Sequence, residues 1–300
     1  MRLSFRELWR ELEELTGPLP ADPLARRDAA FIRRHLQVLG PFVEAWFAPA
    51  YEGFENIPPG RAFLVGTHNG GFIAPDLFSL MVGVWRTFGP ERPTYGLAHD
   101  VAFRVPVMAQ WLSKIGGVPA RPELALELLR CDRWVMVYPG GVRDAYKPHA
   151  VRNVVDFFGR TGFIRTAIRA RAPIVPIVSA GAHDAIYVLA DGVRAAKALK
   201  LDALLRIDAL PLQLCLPWVV AVGPVPYIPM PCKVKLKVLP PIELGLPPDA
   251  ADDRDVVAGA YQRIVHTMQA ELDELVARGG SGLRSRWRAP PPRSPCERQE

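Results

Sequence analysis

The chain has 300 residues, 49% of them apolar, and a formal net charge of +6 at neutral pH. That length admits one large α/β domain or two small ones, and a mean hydropathy of +0.07 is too low for a polytopic membrane protein. The 31 prolines, about twice the usual share, argue against a single long helical bundle. Arginines gather toward both ends, where they suit either nucleic acid or an anionic lipid surface. The interior lacks the basic-aromatic strip of a single-strand binder, so a membrane surface is the expected partner and nucleic acid is not. Cys131, Cys215, Cys232 and Cys296 form no C-x-x-C pair and have no histidine at zinc spacing. No metal and no tightly bound cofactor are expected, and thiols in a reducing compartment are the simplest reading.

Residues 1–16 place Leu3, Phe5, Leu8, Trp9, Leu12 and Leu15 at three- and four-residue steps, which predicts an amphipathic helix. Packing on its own domain is the first use for it, an interfacial membrane helix the second. Its charges interrupt the apolar core that a secretory signal needs. A second helix is expected near Pro23 to Leu39, with Arg26, Arg27, Arg33 and Arg34 on its polar side. Phe42 to Phe47 reads as a further apolar stretch, facing core or lipid.

From Glu55 onward, strand-like runs at 62–66, 94–98, 134–138 and 173–179 alternate with helical patterns at 76–88, 101–113, 122–131 and 152–170. Such alternation predicts an α/β fold, a mostly parallel sheet flanked by helices. Ligands gather at the carboxyl ends of the strands in sheets of this kind. No charged residue occurs between Asp208 and Lys233, a span long enough to cross a bilayer. Pro211, Pro217, Pro224, Pro226, Pro229 and Pro231 interrupt it, and each removes a backbone donor that hydrocarbon cannot replace. The expectation is a helix-and-loop segment that dips into the interface or lines an acyl-chain groove, with a buried crossover as the alternative.

Lys233 to Leu239 alternates charged and apolar residues, as a half-exposed edge strand does, and Ala250 to Ala277 reads as a closing helix. The domain division is an N-terminal helical segment (1–56), a main domain (57–245) that includes the apolar 209–232 span, a C-terminal helix (246–278), and an Arg- and Pro-rich tail (279–300) expected to be disordered.

Chemistry concentrates in the stretch Val65 to Asp76, where an apolar run delivers His68 into a glycine-rich turn and Pro75-Asp76 open a helix. A neutral imidazole on a loop, its tautomer fixed by a carboxylate, can pull a proton from a hydroxyl. Gly70 and Gly71 allow a close approach of substrate or backbone. The alternative is that Asp76 merely complements the helix dipole behind Pro75 and His68 has structural partners only. The adjacent pairs His99-Asp100 and His183-Asp184 diverge on a regular element, so neither is a natural relay; His183, at the end of the fourth block, is expected to face the pocket or cap a helix and is read as structural, and His149 and His266 have no evident partner.

Four blocks stand in order: Gly66-Thr67-His68-Asn69-Gly70-Gly71 with Asp76; Ile115 to Arg121; Val137-Tyr138-Pro139-Gly140-Gly141-Val142-Arg143; and Ile174 to Gly181. Together they resemble the glycerolipid acyltransferase superfamily, which contains the lysophosphatidate acyltransferases. Within it they are similar to the branch with H-x-G-G and P-G-G blocks related to diacylglycerol acyltransferases. The likeness spans about residues 57 to 245. Two features depart from the family. Its histidine and aspartate usually stand as H-x-x-x-x-D, whereas seven residues separate His68 from Asp76, and its third block commonly reads F-P-E-G, where Gly140 now replaces the glutamate.

The resemblance implies an acyl-CoA-dependent O-acyltransferase acting on the hydroxyl of a glycerolipid or lysophospholipid, with an acyl carrier protein as the alternative donor. His68 is then the base, Asp76 its partner, and Asn69, Gly70 and Gly71 the loop that holds them. Arg121 and Arg143 match positions credited with phosphate binding, assisted by Lys147, and the Gly140 and Gly141 N–H groups are candidates for an oxyanion. A peripheral or monotopic protein on the cytoplasmic face of a membrane is expected. The competing readings are a hydrolase, for which no G-x-S-x-G elbow is present, an enzyme acting on a non-glycerolipid alcohol, and a lipid-binding protein that keeps the fold without turnover.

Overall fold

The computed structural model describes residues 22–71, 73–201 and 209–286; the helix expected over 1–16 lies outside them. Helix α1, Ala29–Phe47, begins where the Asp28 carboxylate accepts the Phe31 N–H, an N-cap that satisfies one orphan donor. It runs through Pro41, so the stretches expected at 23–39 and 42–47 are largely one helix. Pro41 removes one intrahelical hydrogen bond. Burial of Phe31, Ile32, Val43 and Phe47 offsets that loss.

After α1 come β1 (Ala50–Glu52), β2 (Ala62–Gly66), α2 (Pro75–Phe88), β3 (Thr94–Ala98), α3 (Pro106–Lys114), β4 (Gly117–Pro119), α4 (Pro122–Arg130), β5 (Trp134–Val137), α5 (Gly141–Ala145), α6 (Gly162–Ala170) and β6 (Ile174–Ala180). The chain continues through β7 (Tyr187–Ala190), α7 (Val193–Ala198), β8 (Leu212–Cys215), β9 (Val219–Val222), β10 (Lys235–Val238), α8 (Arg254–Ala277) and α9 (Gly282–Arg286).

Seven strands form one sheet in the order β1-β10-β6-β2-β5-β3-β4. Strands β6, β2, β5, β3 and β4 are mutually parallel, β10 runs antiparallel to β6, and β1 pairs parallel with β10. This is the mostly parallel α/β architecture that the alternation predicts. Strands β2 and β6 are buried at every residue, as strands covered on both faces must be. On one side Leu128, Ile164, Ile168, Ile264 and Leu272 join Phe63, Val65 and Val178 in a core. On the other, Val43, Phe47, Leu80 and Val84 join Ala62, Leu64 and Ile177.

The structure differs from expectation in five places, the first being the helical pattern at 101–113, which is a 3-10 turn (Asp100–Arg104) followed by α3. The helix expected over 152–170 begins only at Gly162. Phe158 and Gly159 have φ of +56° and +71°, which breaks helical continuity. The backbone before them is held by side chains of α8 instead: Val155 N–H donates to Gln269 Oε1 at 2.7 Å and Phe157 N–H to the Tyr261 hydroxyl at 3.3 Å. Strand β10 is not an edge strand, because β1, too short to read as a strand in the sequence, pairs outside it.

The charge-free 209–232 span is a β-hairpin, not helix and loop. Strands β8 and β9 pair with each other, and β7 completes an antiparallel three-stranded sheet. The prolines precede, separate or follow the two strands, so they forbid a helix without removing ladder donors. Finally, the first residues of the tail expected to be disordered from 279 form α9, docked by the Gly282 N–H on the Lys233 carbonyl at 2.7 Å and the Leu283 N–H on Asp184 Oδ2 at 2.8 Å; residues 287–300 lie outside the described residues. Among the described residues, no helix is long and apolar enough to cross a membrane.

Candidate active site

The carboxyl ends of β5, β2 and β6 lie side by side; β2 and β5 each lead into one of the blocks singled out above, and β6 is itself the fourth. At the end of β2, a Cβ on Gly66 would come within 2.6 Å of the Tyr138 ring, which lies against the His68 ring with centroids 4.7 Å apart. Gly70 and Gly71 have φ of +87° and +73°, a backbone that glycine adopts without steric cost. A Cβ at position 70 would meet Pro75 Cδ at 2.5 Å and the Ala182 carbonyl at 2.6 Å. Through these glycines the loop folds back on the start of α2, which is how the longer spacing still brings the acid to the ring.

His68 Nδ1 faces Asp76 Oδ2 at 3.4 Å. Asp76 is buried in the first turn of α2, and the same oxygen accepts the Asn69 N–H at 2.8 Å. Since 3.4 Å is long for an N–H···O bond, the carboxylate is anchored chiefly by loop backbone. Asn69 in turn donates its amide to the Ser179 hydroxyl and, at 3.3 Å, to the Ser179 carbonyl, which fastens the loop to β6. A second carboxylate holds the loop from below. Asp144, fully buried on α5, accepts the backbone N–H of His68 at 2.6 Å and pairs with Lys147 Nζ at 2.6 Å. Gly71 N–H donates to the Ala145 carbonyl at 2.9 Å, and the Tyr227 hydroxyl donates to the Gly70 carbonyl.

Burial alone would lower the His68 pKa, but Asp76, and behind it Asp144, reverse this, so the imidazole titrates above its ordinary value. Burial pushes the Asp144 carboxyl up against the opposing pull of Lys147. Burial, reinforced by Asp76, holds the Tyr138 phenol well above its usual range, so it stays neutral. His183 is buried too, and burial with the Lys147 charge keeps its pKa well below the ordinary value, so the ring is neutral. The His68 side chain keeps 19% of its surface exposed. A ring with one nitrogen on a buried carboxylate and an accessible edge can deprotonate a hydroxyl.

The acyltransferase family model matches residues 49–180, the segment that carries this loop and the carboxyl ends around it. An uncharacterized protein of Mycobacterium tuberculosis is 30% identical over 269 residues, which cover 88% of this chain and 72% of that one. The chain belongs to the acyltransferase family. A mouse protein described as a DGAT1/2-independent enzyme synthesizing storage lipids is 29% identical over 132 residues, covering 44% of this acyltransferase and 39% of the mouse chain. The crystal structure of the 1-acyl-sn-glycerophosphate acyltransferase PlsC from Thermotoga maritima matches with a TM-score of 0.51 at 18% identity, over 90% of this chain and 88% of that one. That likeness is one of fold.

The other residues singled out in this acyltransferase are not all brought together. Arg121 is exposed just beyond β4, at the start of α4. Strand β4 lies three places from β2, about 14 Å at the usual strand spacing, so Arg121 shares the edge without adjoining His68. Arg143 is nearer, on α5, with its guanidinium 4.0 Å over the Phe158 ring. Lys147, expected at a substrate phosphate, is buried instead, its ammonium held by Asp144 and, at 2.7 Å, by the Val154 carbonyl; it anchors the loop. Gly141 donates its N–H to the Tyr138 carbonyl at 3.1 Å, which closes it to an oxyanion and leaves Gly140 as the candidate of the two. Gly140 also accounts for the missing glutamate, since a Cβ there would sit 2.3 Å from Asp144 Cβ. His149, read as partnerless, pairs with Asp184 at 3.0 Å.

Asp144 and Tyr227 were not legible as site residues. An aspartate with a lysine three positions on reads as a solvated helix pair, and only the packing of α5 beneath the loop puts it out of water. Tyr227 left one signal, a lone phenol within a charge-free run.

Proposed function

We propose that this acyltransferase moves a fatty acyl group from acyl-CoA to the hydroxyl of a glycerolipid or lysophospholipid at a membrane surface, as a peripheral or monotopic protein on the cytoplasmic face. The observation that carries the reading is His68 Nδ1 turned to the buried Asp76 at the carboxyl edge of the sheet. With Nδ1–H on the carboxylate, Nε2 on the opposite side of the ring bears the lone pair. Nε2 takes the acceptor's proton as the hydroxyl oxygen attacks the thioester carbonyl. The new C–O bond forms, the tetrahedral oxyanion collapses, and the C–S bond breaks to release coenzyme A thiolate. A thiol pKa of roughly 8.5 makes that leaving group adequate without a strong acid, and the imidazolium returns the proton. Asp76 stabilises the imidazolium, and the Gly140 N–H is the candidate donor to the oxyanion. An acyl carrier protein would present the same reacting bond and is the alternative donor.

The withdrawal of Lys147 into the interior and the glycine at 140 favour an acceptor recognised by its hydroxyl and acyl chain over one gripped by a phosphate. The mouse relative, named for storage-lipid synthesis, agrees with that preference. The test is incubation of the full chain with labelled acyl-CoA and vesicles carrying lysophospholipids, mono- and diglycerides, or simple alcohols. One glycerolipid class is expected to become labelled, and His68→Ala to abolish the label. Labelling of none overturns the reading, and labelling of simple alcohols alone replaces the acceptor class.

A further inference from the structure

In an antiparallel sheet with one face on the core, the other face is ordinarily polar. The sheet β7-β8-β9 breaks that rule. Its inner positions Val188, Gln213 and Cys215 are buried. Its outer positions are apolar as well: the register sets exposed Tyr187 beside Leu214 and Val220, and Leu212 beside Val222. At the hairpin tip Leu216, Trp218 and Val219 are 53%, 55% and 68% exposed, and Ile228, bridged to Leu216, extends the patch. Scattered surface hydrophobics are ordinary, but a contiguous face of this kind marks an interaction site. No charged residue occurs from 209 to 232. At the far end of β7, α7 and the turn after it expose Arg194, Lys197 and Lys200, three cations between Asp191 and Asp202 in the sequence.

We propose that this face is the surface by which the enzyme docks on an anionic phospholipid bilayer. The outer side chains enter the boundary between headgroups and acyl chains, where the amphipathic ring of Trp218 is at home, and Arg194, Lys197 and Lys200 meet lipid phosphates. A second copy of the chain fits the face less well, because its own face would bring the same positive charges. The inference rests on the acceptor being a lipid and says where that lipid is met. The buried side of the sheet packs with Tyr146 and Tyr227, and Tyr227 is bonded to Gly70 of the histidine loop. Docking therefore sets the reacting loop directly behind the docked sheet.

The test is flotation of the full chain with vesicles of phosphatidylcholine and phosphatidylglycerol, against phosphatidylcholine alone. The double variant Leu214→Glu/Val220→Glu is expected to reduce partition onto anionic vesicles at least tenfold, and Trp218→Ser, outside the strands, several-fold. Arg194→Glu/Lys197→Glu should weaken binding to the anionic vesicles only. His68→Ala should float as the parent does, so a failure of acyl transfer reads separately from a failure of docking. Undiminished flotation of both the double variant and Trp218→Ser overturns the proposal. So does a change from dimer to monomer in the double variant with flotation unchanged, which assigns the face to a second copy. Loss of flotation in Trp9→Glu, while the sheet variants still float, moves docking to the N-terminus and overturns it equally.

Discussion

Asp144 holds the backbone N–H of His68 through one carboxylate oxygen and Lys147 Nζ through the other, both at 2.6 Å. The loop that presents the imidazole thus hangs from an ion pair that is itself out of water. Removing one member of a buried pair strands the other, at a cost of about 3–5 kcal/mol. Asp144→Ala and Lys147→Met should each destabilise by that order in chemical denaturation, while Asp144→Leu/Lys147→Met should cost clearly less than the sum. Single-variant losses below about 1 kcal/mol would show that the pair carries no load.

The pH profile follows from the neighbours of His68. As the base it must be neutral, so kcat/KM should rise with pH through a midpoint above the ordinary histidine value of 6.5, because the two aspartates outweigh burial. In Asp76→Asn burial is less opposed, so the midpoint should move toward acid while the maximal rate falls by about 10²–10⁴-fold. An unmoved midpoint would sever Asp76 from the ring. The same raised pKa means that the folded chain holds this proton more tightly than the unfolded chain. Its stabilisation is complete below the unfolded value and fades as pH climbs through the folded one.

At the end of β2 the limit is space. Gly66→Ala drives a methyl into the Tyr138 ring, and overpacking of this kind costs about 1–3 kcal/mol. The melting temperature should fall accordingly. Gly66→Ala/Tyr138→Leu should recover part of the loss, since contacting positions are not additive. Simple additivity of the two changes would place the strain elsewhere.

Tyr227→Phe removes one hydroxyl and leaves the Gly70 carbonyl without that donor. The expected stability loss is about 1 kcal/mol. Because Gly70 is two residues from the base, kcat should fall several-fold with KM little changed. A change confined to KM would mean that the tie serves substrate binding instead.

The parallel strands were legible because β2 is an apolar run and β6 is one interrupted only by Ser179, each too short for a helix. The His68–Asp76 pairing was legible only as two residue types near a helix start. Their meeting depends on Gly70 and Gly71 taking left-handed backbone, which residue order does not encode. The hairpin β8–β9 was misread because its outer face is apolar, erasing the alternation that announces a half-exposed strand. Lys147 was misplaced for the converse reason: a charged side chain is ordinarily expected at the surface, and this one is buried against Asp144.

The separation of 2.3 Å between a hypothetical Cβ on Gly140 and Asp144 Cβ limits which residues this turn accepts. A side chain at the first position crowds the Cβ of the fourth residue beyond it on this backbone. Tolerance at position 140 is therefore set by what stands at 144, and enlarging Gly140 is expected to loosen the hold of Asp144 on the histidine loop.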